Sequence, residues 1–250
     1  MNHEKIIISM TSWKGRIKNV SNVVQRIYNN TIIPDAFVLN LSEDEFQNME
    51  KDLPDELLSL KDMFKTFEIN WVGKNTKPYK KIIPTLSEYP NDIIITVDDD
   101  IEYPENFIEN MYYEFLRGRK QQPVTGGDNM WWNSCYSHLG GAALVKNEMF
   151  GRYLDDMYQN LYLKHPEQFK FSDPLITYAM ILNGRRYRMT RNMNMSLIRR
   201  KTHRNSGSMS NIGSDEYKRY LKTEHDLIQK YIHDVYHVYI ENIVRNERRF

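Results

Sequence analysis

Apolar residues recur along this chain with two different periods, and the two take turns. Lys5 to Met10 is a nearly continuous apolar run that predicts a buried strand, and the polar loop Thr11-Ser12-Trp13-Lys14-Gly15-Arg16 follows it. Val20, Val23, Val24 and Ile27 then recur at i, i+3, i+4 and i+7, the spacing of one face of an amphipathic helix. Pro34-Asp35 interrupts the chain before Phe37, Leu39 and Leu41 alternate as a second strand. Helical patterns are expected from about Glu43 and from Pro54 to Phe64, with a third strand from Phe67 to Val72. Pro78 to Tyr89 predicts a further helix with a kink or boundary at Pro84. Ile93 to Val97 is the fourth strand, and Pro104 and Glu105 are expected in the first turn of the helix after it. Strands alternating with helices at this spacing predict an α/β fold with a mostly parallel sheet covered on both faces.

Beyond this point the pattern is less regular. Trp131-Trp132-Asn133-Ser134 is an aromatic and polar loop, and Leu139 to Val145 is a strand led by Gly140 and Gly141. Asp173 to Asn183 predicts a helix stopped by Gly184. Arg199 to Gly213, rich in Arg, Ser, Asn and Gly without periodicity, predicts a loop. Ile228, Tyr231, Ile232, Val235 and Tyr239 mark a long C-terminal helix. No repeat, low-complexity segment or linker divides residues 1–250, so a single domain is expected.

Composition narrows the classes. The 250 residues are 40% hydrophobic and 27% charged, which suits a globular domain. Lys plus Arg total 34 against 33 for Asp plus Glu, a net charge of +1, so no global field argues for nucleic acid and binding must come from local sites. The single cysteine, Cys135, excludes an internal disulfide framework and fits a reducing compartment. The N-terminal apolar run is shorter than that of a signal peptide, and nowhere do 18 apolar residues run together. The expected location is the cytoplasm, with a peripheral contact on the inner face of the membrane left open. The basic end at Arg245, Arg248 and Arg249 is a candidate for that contact, beside the plainer reading of a solvated terminus.

The chemistry concentrates in Asn91 to Pro104, where five apolar or β-branched residues run into Asp98, Asp99 and Asp100. A solvated acidic turn or a helix cap would also place carboxylates here. Three adjacent carboxylates repel one another, however, and a buried strand that ends in them delivers negative charge to the rim of a sheet. That position suits a divalent cation carrying phosphates. The loop after Met10, with Thr11, Ser12, Lys14 and Arg16, is expected at the same edge, where ligands of open α/β sheets bind. Lys77, Lys80 and Lys81 lie about one helix upstream of the strand and are candidate donors to phosphate, beside the plainer reading of solvated lysines at an exposed helix start.

Taken in order, ISMTSWKGRI, PDAFVLNLSEDEF and KPYKKIIPTLSEYPNDIIITVDDDIEYP resemble the family-2-like bacterial glycosyltransferases of surface-polysaccharide and lipopolysaccharide assembly. The resemblance implies a GT-A fold, Rossmann-like, with a mostly parallel sheet flanked by helices and a C-terminal helical extension. Residues 1–115 would form the nucleotide-sugar-binding half, 116–213 the acceptor-binding half and 214–250 the C-terminal helix. It implies transfer of a hexosyl or N-acetylhexosaminyl group from a nucleotide-diphosphate sugar, first of all a UDP-sugar, to a hydroxyl of a glycan or lipid-linked glycan. In the Asp-x-Asp motif, Asp98 would contact the ribose or uracil side of the donor and stand near the metal. Asp100 would bind Mn²⁺ or Mg²⁺ through the diphosphate, and Asp99 would support them. Thr11 and Arg16 match first-loop positions that clasp the nucleotide, with Ser12 between them; Lys81 matches the lysine before the apolar-apolar-Pro step, with Lys77 and Lys80 beside it.

An inverting transfer also needs a base. The stretch from Phe171 through Asp173 to Gly184 resembles the helix that carries the family's catalytic carboxylate, which points to Asp173, although Ser172-Asp173-Pro174 is also an ordinary helix start. Asp155 and Asp156 are spare candidates that read as an exposed helical face. His203 is a candidate metal ligand, and Arg199, Arg200, Lys201 and Arg204 around it are candidates to close over a diphosphate. Trp131 and Trp132 are candidates to stack on an acceptor sugar, and Gly140 and Gly141, grouped with them on the acceptor side, to let backbone approach the donor sugar, which a tight strand entry explains equally well. His233 and His237, at i and i+4, lack the glutamate a zinc-protease helix places between them. The enzyme rival is a sugar-nucleotide nucleotidyltransferase, which favours a glycine-rich first loop where this chain has only Gly15. The non-enzyme rival is a glycan-binding protein on a degenerate transferase fold.

Overall fold

In the computed structural model of the chain, which describes residues 4–126, 130–131, 136–137, 141–190 and 214–246, the continuous apolar runs form the middle of a sheet. β1 (Ile6–Thr11) lies between β2 (Ala36–Ser42) and β4 (Ile93–Val97), parallel to both, and β3 (Phe67–Val72) adds in parallel outside β2. Ile7, Ile8, Met10, Ile94, Ile95 and Val97 have no exposed surface. A strand covered on both faces has no wet side, so its sequence does not alternate. Beyond β4 come β5 (Val124–Thr125), β8 (Ala142–Val145) and β9 (Arg188–Met189). The order is β3-β2-β1-β4-β8-β5-β9, and only β8 runs against its neighbours. A separate hairpin pairs β6 (Met130–Trp131) with β7 (Tyr136–Ser137). This is the mostly parallel α/β sheet that the alternation predicts.

The helices are α1 (Val20–Tyr28), α2 (Asp55–Met63), α3 (Ile83–Glu88), α4 (Phe107–Arg117), α5 (Tyr153–Met157), α6 (Asp173–Leu182), α7 (Ser214–Tyr236) and α8 (Ile240–Asn246). α1 buries Val20, Val23, Val24 and Ile27, the face its spacing predicts; α4 buries Phe107, Ile108, Met111 and Phe115. α5 runs on into a π-helical turn, Tyr158–Tyr162, that packs Tyr158 and Tyr162 on Tyr79. α6 stops at Gly184, whose φ of 67° is the left-handed conformation that favours glycine.

Several boundaries differ from expectation for local reasons. The segment after Glu43 is turns and a short 3₁₀ helix, Met49–Asp52, where the Asp52 carboxylate captures local backbone, accepting from Asn48 N (3.2 Å), while Asp44 is drawn away to Asn75 N (2.9 Å). Pro78 to Tyr89 splits at Ile82 into a 3₁₀ helix, Lys77–Lys81, and α3, with Pro84 in the first turn of the latter. α4 starts at Phe107, not at Pro104, since the Glu105 carbonyl is held by Thr31 N (2.7 Å). The C-terminal helix is two helices, broken at His237, which has a φ of 58°. Asp156 is not a bare surface acid: it accepts the hydroxyls of Tyr231 (2.9 Å) and Tyr236 and ties α5 to α7.

Candidate active site

The chain leaves β1 toward β2 and β3 on one side and returns to β4 on the other, so a crevice opens between the carboxyl ends of β1 and β4. Such a switch point is where ligands of open parallel sheets sit. The register pairs Met10 with Val97, which brings Thr11 and Ser12 against Asp98 and Asp99.

The three carboxylates do not act alike. Asp99 is turned inward, 1% exposed, and accepts the Ser12 hydroxyl at 2.5 Å. Asp98 and Asp100 reach the surface, with side chains 29% and 19% exposed. Arg16 bridges Asp99 (3.0 Å) and Asp100 (2.7 Å), while Lys81 Nζ sits 2.6 Å from Asp98. Burial pushes Asp99 up to about 7 against the pull of Arg16 and Ser12. Burial also opposes the charge on Asp98, but Lys81 outweighs it and holds that carboxyl below its ordinary value. Lys81 mirrors this: Asp98 and Asp173 overcome its desolvation and raise it. Asp173, at the start of α6, therefore stands in the field of the same lysine.

Beneath the carboxylates lies a layer of backbone ties. Asp98 N donates to Tyr103 Oη (2.8 Å), the Tyr103 hydroxyl donates to the Gly141 carbonyl, and Gly141 N returns a bond to Asp98 Oδ2 (3.1 Å). Tyr103 thus joins the carboxylate loop to the strand entry at Gly141. Ser9 Oγ donates to the Lys81 carbonyl (2.5 Å), and Asn40 Nδ2 binds Ser9 (3.2 Å) and Thr85 (3.0 Å). This buried polar cluster fixes the backbone that presents Lys81. Ser9 and Asn40 stand out in the sequence as polar residues inside apolar strands; Tyr103 carries no such signal.

Other candidates fall elsewhere. The Thr11 hydroxyl donates to the Asn40 carbonyl (2.8 Å), closing the end of β1 on β2. Lys14 pairs with Asp52 at 3.4 Å. Lys77 Nζ donates to the carbonyls of Pro166 (2.8 Å) and Phe169 (2.9 Å), and Lys80 is buried on Asn75 (2.8 Å), Ser42 (3.3 Å) and Glu45 (3.5 Å). Neither ammonium is directed at the carboxylates. The Tyr79 hydroxyl adds a bond to the Phe171 carbonyl (3.2 Å), so the 77–81 segment staples the chain that leads into Asp173. From the other side, buried Glu224 of α7 accepts the N–H groups of Lys170 and Phe171. His203, Trp132 and Gly140 lie outside the described residues, as does the side chain of Trp131.

The arrangement suits anions as well as cations. Arg16 Nε is buried and has no acceptor among the described residues, a donor that a phosphate oxygen would satisfy. Asp98 and Asp100 are hard oxygen donors of the kind Mg²⁺ and Mn²⁺ take. Among the described residues no cluster of three or more His, Cys, Asp and Glu is arranged to hold a metal. Two carboxylates flanked by Arg16 and Lys81 fit a cation that arrives with phosphate ligands of its own. Trp13, 40% exposed on the same loop, packs over Gly15, where a Cβ would lie 2.2 Å from its ring.

No protein-family model matches the chain, and no curated protein matches it. Among solved structures, the chain is similar to the Staphylococcus aureus TarS fragment in complex with UDP, at 10% identity and a TM-score of 0.50. That match covers 76% of this chain and 59% of the other. Mannosyltransferase PcManGT of Pyrobaculum calidifontis, in complex with GDP-Man and Mn²⁺, has 13% identity and a TM-score of 0.46, covering 61% and 47%. A cytidylyltransferase of Leptospira borgpetersenii has 13% identity and a TM-score of 0.44, covering 68% and 75%. No helix among the described residues is long and apolar enough to cross a membrane. At such identities the likeness is one of architecture: the chain has a Rossmann-like α/β fold of the GT-A kind.

Proposed function

We propose that this chain is a metal-dependent glycosyltransferase that moves a hexosyl or N-acetylhexosaminyl group from a nucleotide-diphosphate sugar to a hydroxyl of a glycan or lipid-linked glycan, in bacterial surface-polysaccharide or lipopolysaccharide assembly. The observation that carries the proposal is the meeting of Asp98, Asp99 and Asp100 with Arg16 and Lys81 at the β1–β4 switch point. UDP is the first nucleotide to test, because the TarS fragment of like fold was solved with UDP.

In this reading Asp98 and Asp100, with His203 as a further ligand, would hold Mn²⁺ or Mg²⁺, which would supply Lewis-acid neutralisation of the leaving diphosphate. Arg16, with its spare buried Nε–H, and Lys81 bind phosphate oxygens and keep that charge compensated as the sugar–phosphate bond breaks. Thr11 and Ser12 line the nucleotide side, and Asp99 stays inward to fix Ser12 and Arg16. Lys77 and Lys80 serve the donor indirectly, by holding the loops around it. If configuration inverts, Asp173 takes the proton of the acceptor hydroxyl as its oxygen bonds the anomeric carbon. Gly140, Gly141, Trp131 and Trp132 are assigned to the acceptor from the sequence.

Calorimetric titration of UDP, GDP and CDP, with and without Mn²⁺, tests this in the wild type and in Asp100→Asn. One nucleotide should bind and require both metal and Asp100. Binding of no nucleotide would sink the proposal and favour a glycan-binding protein, and pyrophosphate release from a nucleoside triphosphate would favour a nucleotidyltransferase.

A further inference from the structure

The edge of the sheet opposite the carboxylates carries a second concentration of charge, of the other sign. α4 leaves the carboxyl end of β4 and returns, so its last residue, Arg117, lies at the amino end of β5, which runs parallel to β4 because β8 opposes both. α6 likewise starts near Lys81 and ends at Gly184 on this far edge, where Arg188 N donates to the Pro123 carbonyl (2.8 Å). Between the two helix ends is a concavity of about 320 Å³ lined by Arg117, Arg119, Arg185 and Arg186 with Gln121 and Gln122. None of the described residues that line it is acidic.

A helix C-terminus draws cations, with about half a negative charge at each end. Two ends therefore offset about one arginine. Glu114 adds one more negative charge, its oxygens taken by Arg117 (3.1 Å) and Arg188 (3.1 Å). Arg186 has a partner of its own and is left out of the count. Arg117, Arg119, Arg185 and Arg188 then exceed the opposing charge by about two. Among the described residues two donors are also buried without an acceptor, Arg185 Nε in the lining and the Nε of Arg188, whose Nη1 bonds the lining Gln122 (3.4 Å). Arg185 is otherwise held in place by its Nη1 bond to the Gln121 carbonyl (3.3 Å). The chain wraps the concavity through left-handed positions at Arg119 (φ 54°), Lys120 (φ 59°) and Gly184 (φ 67°).

We propose that this concavity binds the phosphate group of a second ligand, separate from the carboxylate site. Guanidinium forks match phosphate oxygens in pairs, and a surplus of about two charges suits a phosphate dianion. The volume is at the small end of ligand pockets, room for a phosphate and a short attached group. The phosphate comes either from a soluble ester or diphosphate or from an anionic lipid headgroup.

The test uses the full chain without divalent cation. Inorganic pyrophosphate is titrated calorimetrically into the wild type, Arg119→Asn and the double variant Arg119→Asn/Arg185→Gln, asparagine being tolerated at a left-handed position. In parallel, co-sedimentation compares vesicles of phosphatidylglycerol and phosphatidylcholine with vesicles of phosphatidylcholine alone. Arg119→Lys keeps the charge without the fork, and unfolding midpoints check that every variant folds. Pyrophosphate affinity should fall roughly tenfold or more in the double variant, as expected for the loss of two charge-assisted bonds, and less in Arg119→Lys. If pyrophosphate fails but the anionic vesicles bind in an Arg119-dependent way, the phosphate is a lipid headgroup. Equal pyrophosphate binding in wild type and double variant, or no binding of either probe, would overturn the proposal.

Discussion

Glu224 is a buried acid with no ion-pair partner among the described residues, and its titration tests how α7 holds the approach to Asp173. Its side chain has no exposed surface and accepts the N–H groups of Lys170 and Phe171, the latter at 3.1 Å. Burial lifts its pKa from 4.5 to about 7, more than those N–H groups can offset. A carboxyl that binds its proton more tightly when folded contributes stability in full below its unfolded pKa and loses it as pH rises through about 7. At about 1.4 kcal/mol per pH unit the whole effect is about 3 kcal/mol. About 2 to 3 kcal/mol of it falls between about pH 5 and about pH 8. Glu224→Gln keeps the acceptor and removes the titration. Urea unfolding of wild type and variant at those two pH values should show the balance moving in favour of the variant by about 2 to 3 kcal/mol at the higher pH. Every other titrating group cancels in that comparison. A stability difference that is the same at both pH values would refute the reasoning and mean that Glu224 is ordinarily solvated in the folded chain.

Three further perturbations reach other parts of the argument. Tyr103→Phe strips Asp98 N and the Gly141 carbonyl of their partner, so it should cost about 1 to 3 kcal/mol in urea unfolding and weaken nucleotide binding; an unchanged protein would mean the carboxylate loop is held by other contacts. Lys77→Met releases the Pro166 and Phe169 carbonyls ahead of Asp173, so kcat should fall while UDP affinity stays within about twofold. A collapse of UDP affinity would instead place Lys77 on the diphosphate, as its position beside Lys81 first implies. Ile95→Ala empties a fully buried position in β4 and should cost about 2 to 5 kcal/mol, read as a lower urea midpoint with an unchanged slope.

Much of the architecture is written in short-range pattern. Strand and helix periods are properties of neighbouring residues, so β3 and β4 fall on the residues the pattern predicts, Phe67–Val72 and Ile93–Val97. A strand's direction then decides which end its last residues occupy, and the Asp triplet and the Thr11–Arg16 loop fall at one edge because parallel strands share their carboxyl ends. By itself, then, the sequence determined the four parallel strands β1 to β4, the edge they share and the residue types gathered there.

Which side chain meets which was decided by the tertiary structure. Ser12 and Asp99 are 87 residues apart, and Lys77 and Phe169 are 92 apart. No local period encodes such a partner. The sequence could not tell that Asp99 faces inward while its neighbours face out, or that Lys77 caps carbonyls of a distant loop. Nor could it show that the arginines ending α4 and those following α6, more than 60 residues apart, enclose one concavity. Hydrophobic burial fixes each element's face; the polar contacts follow only once those faces have closed on one another.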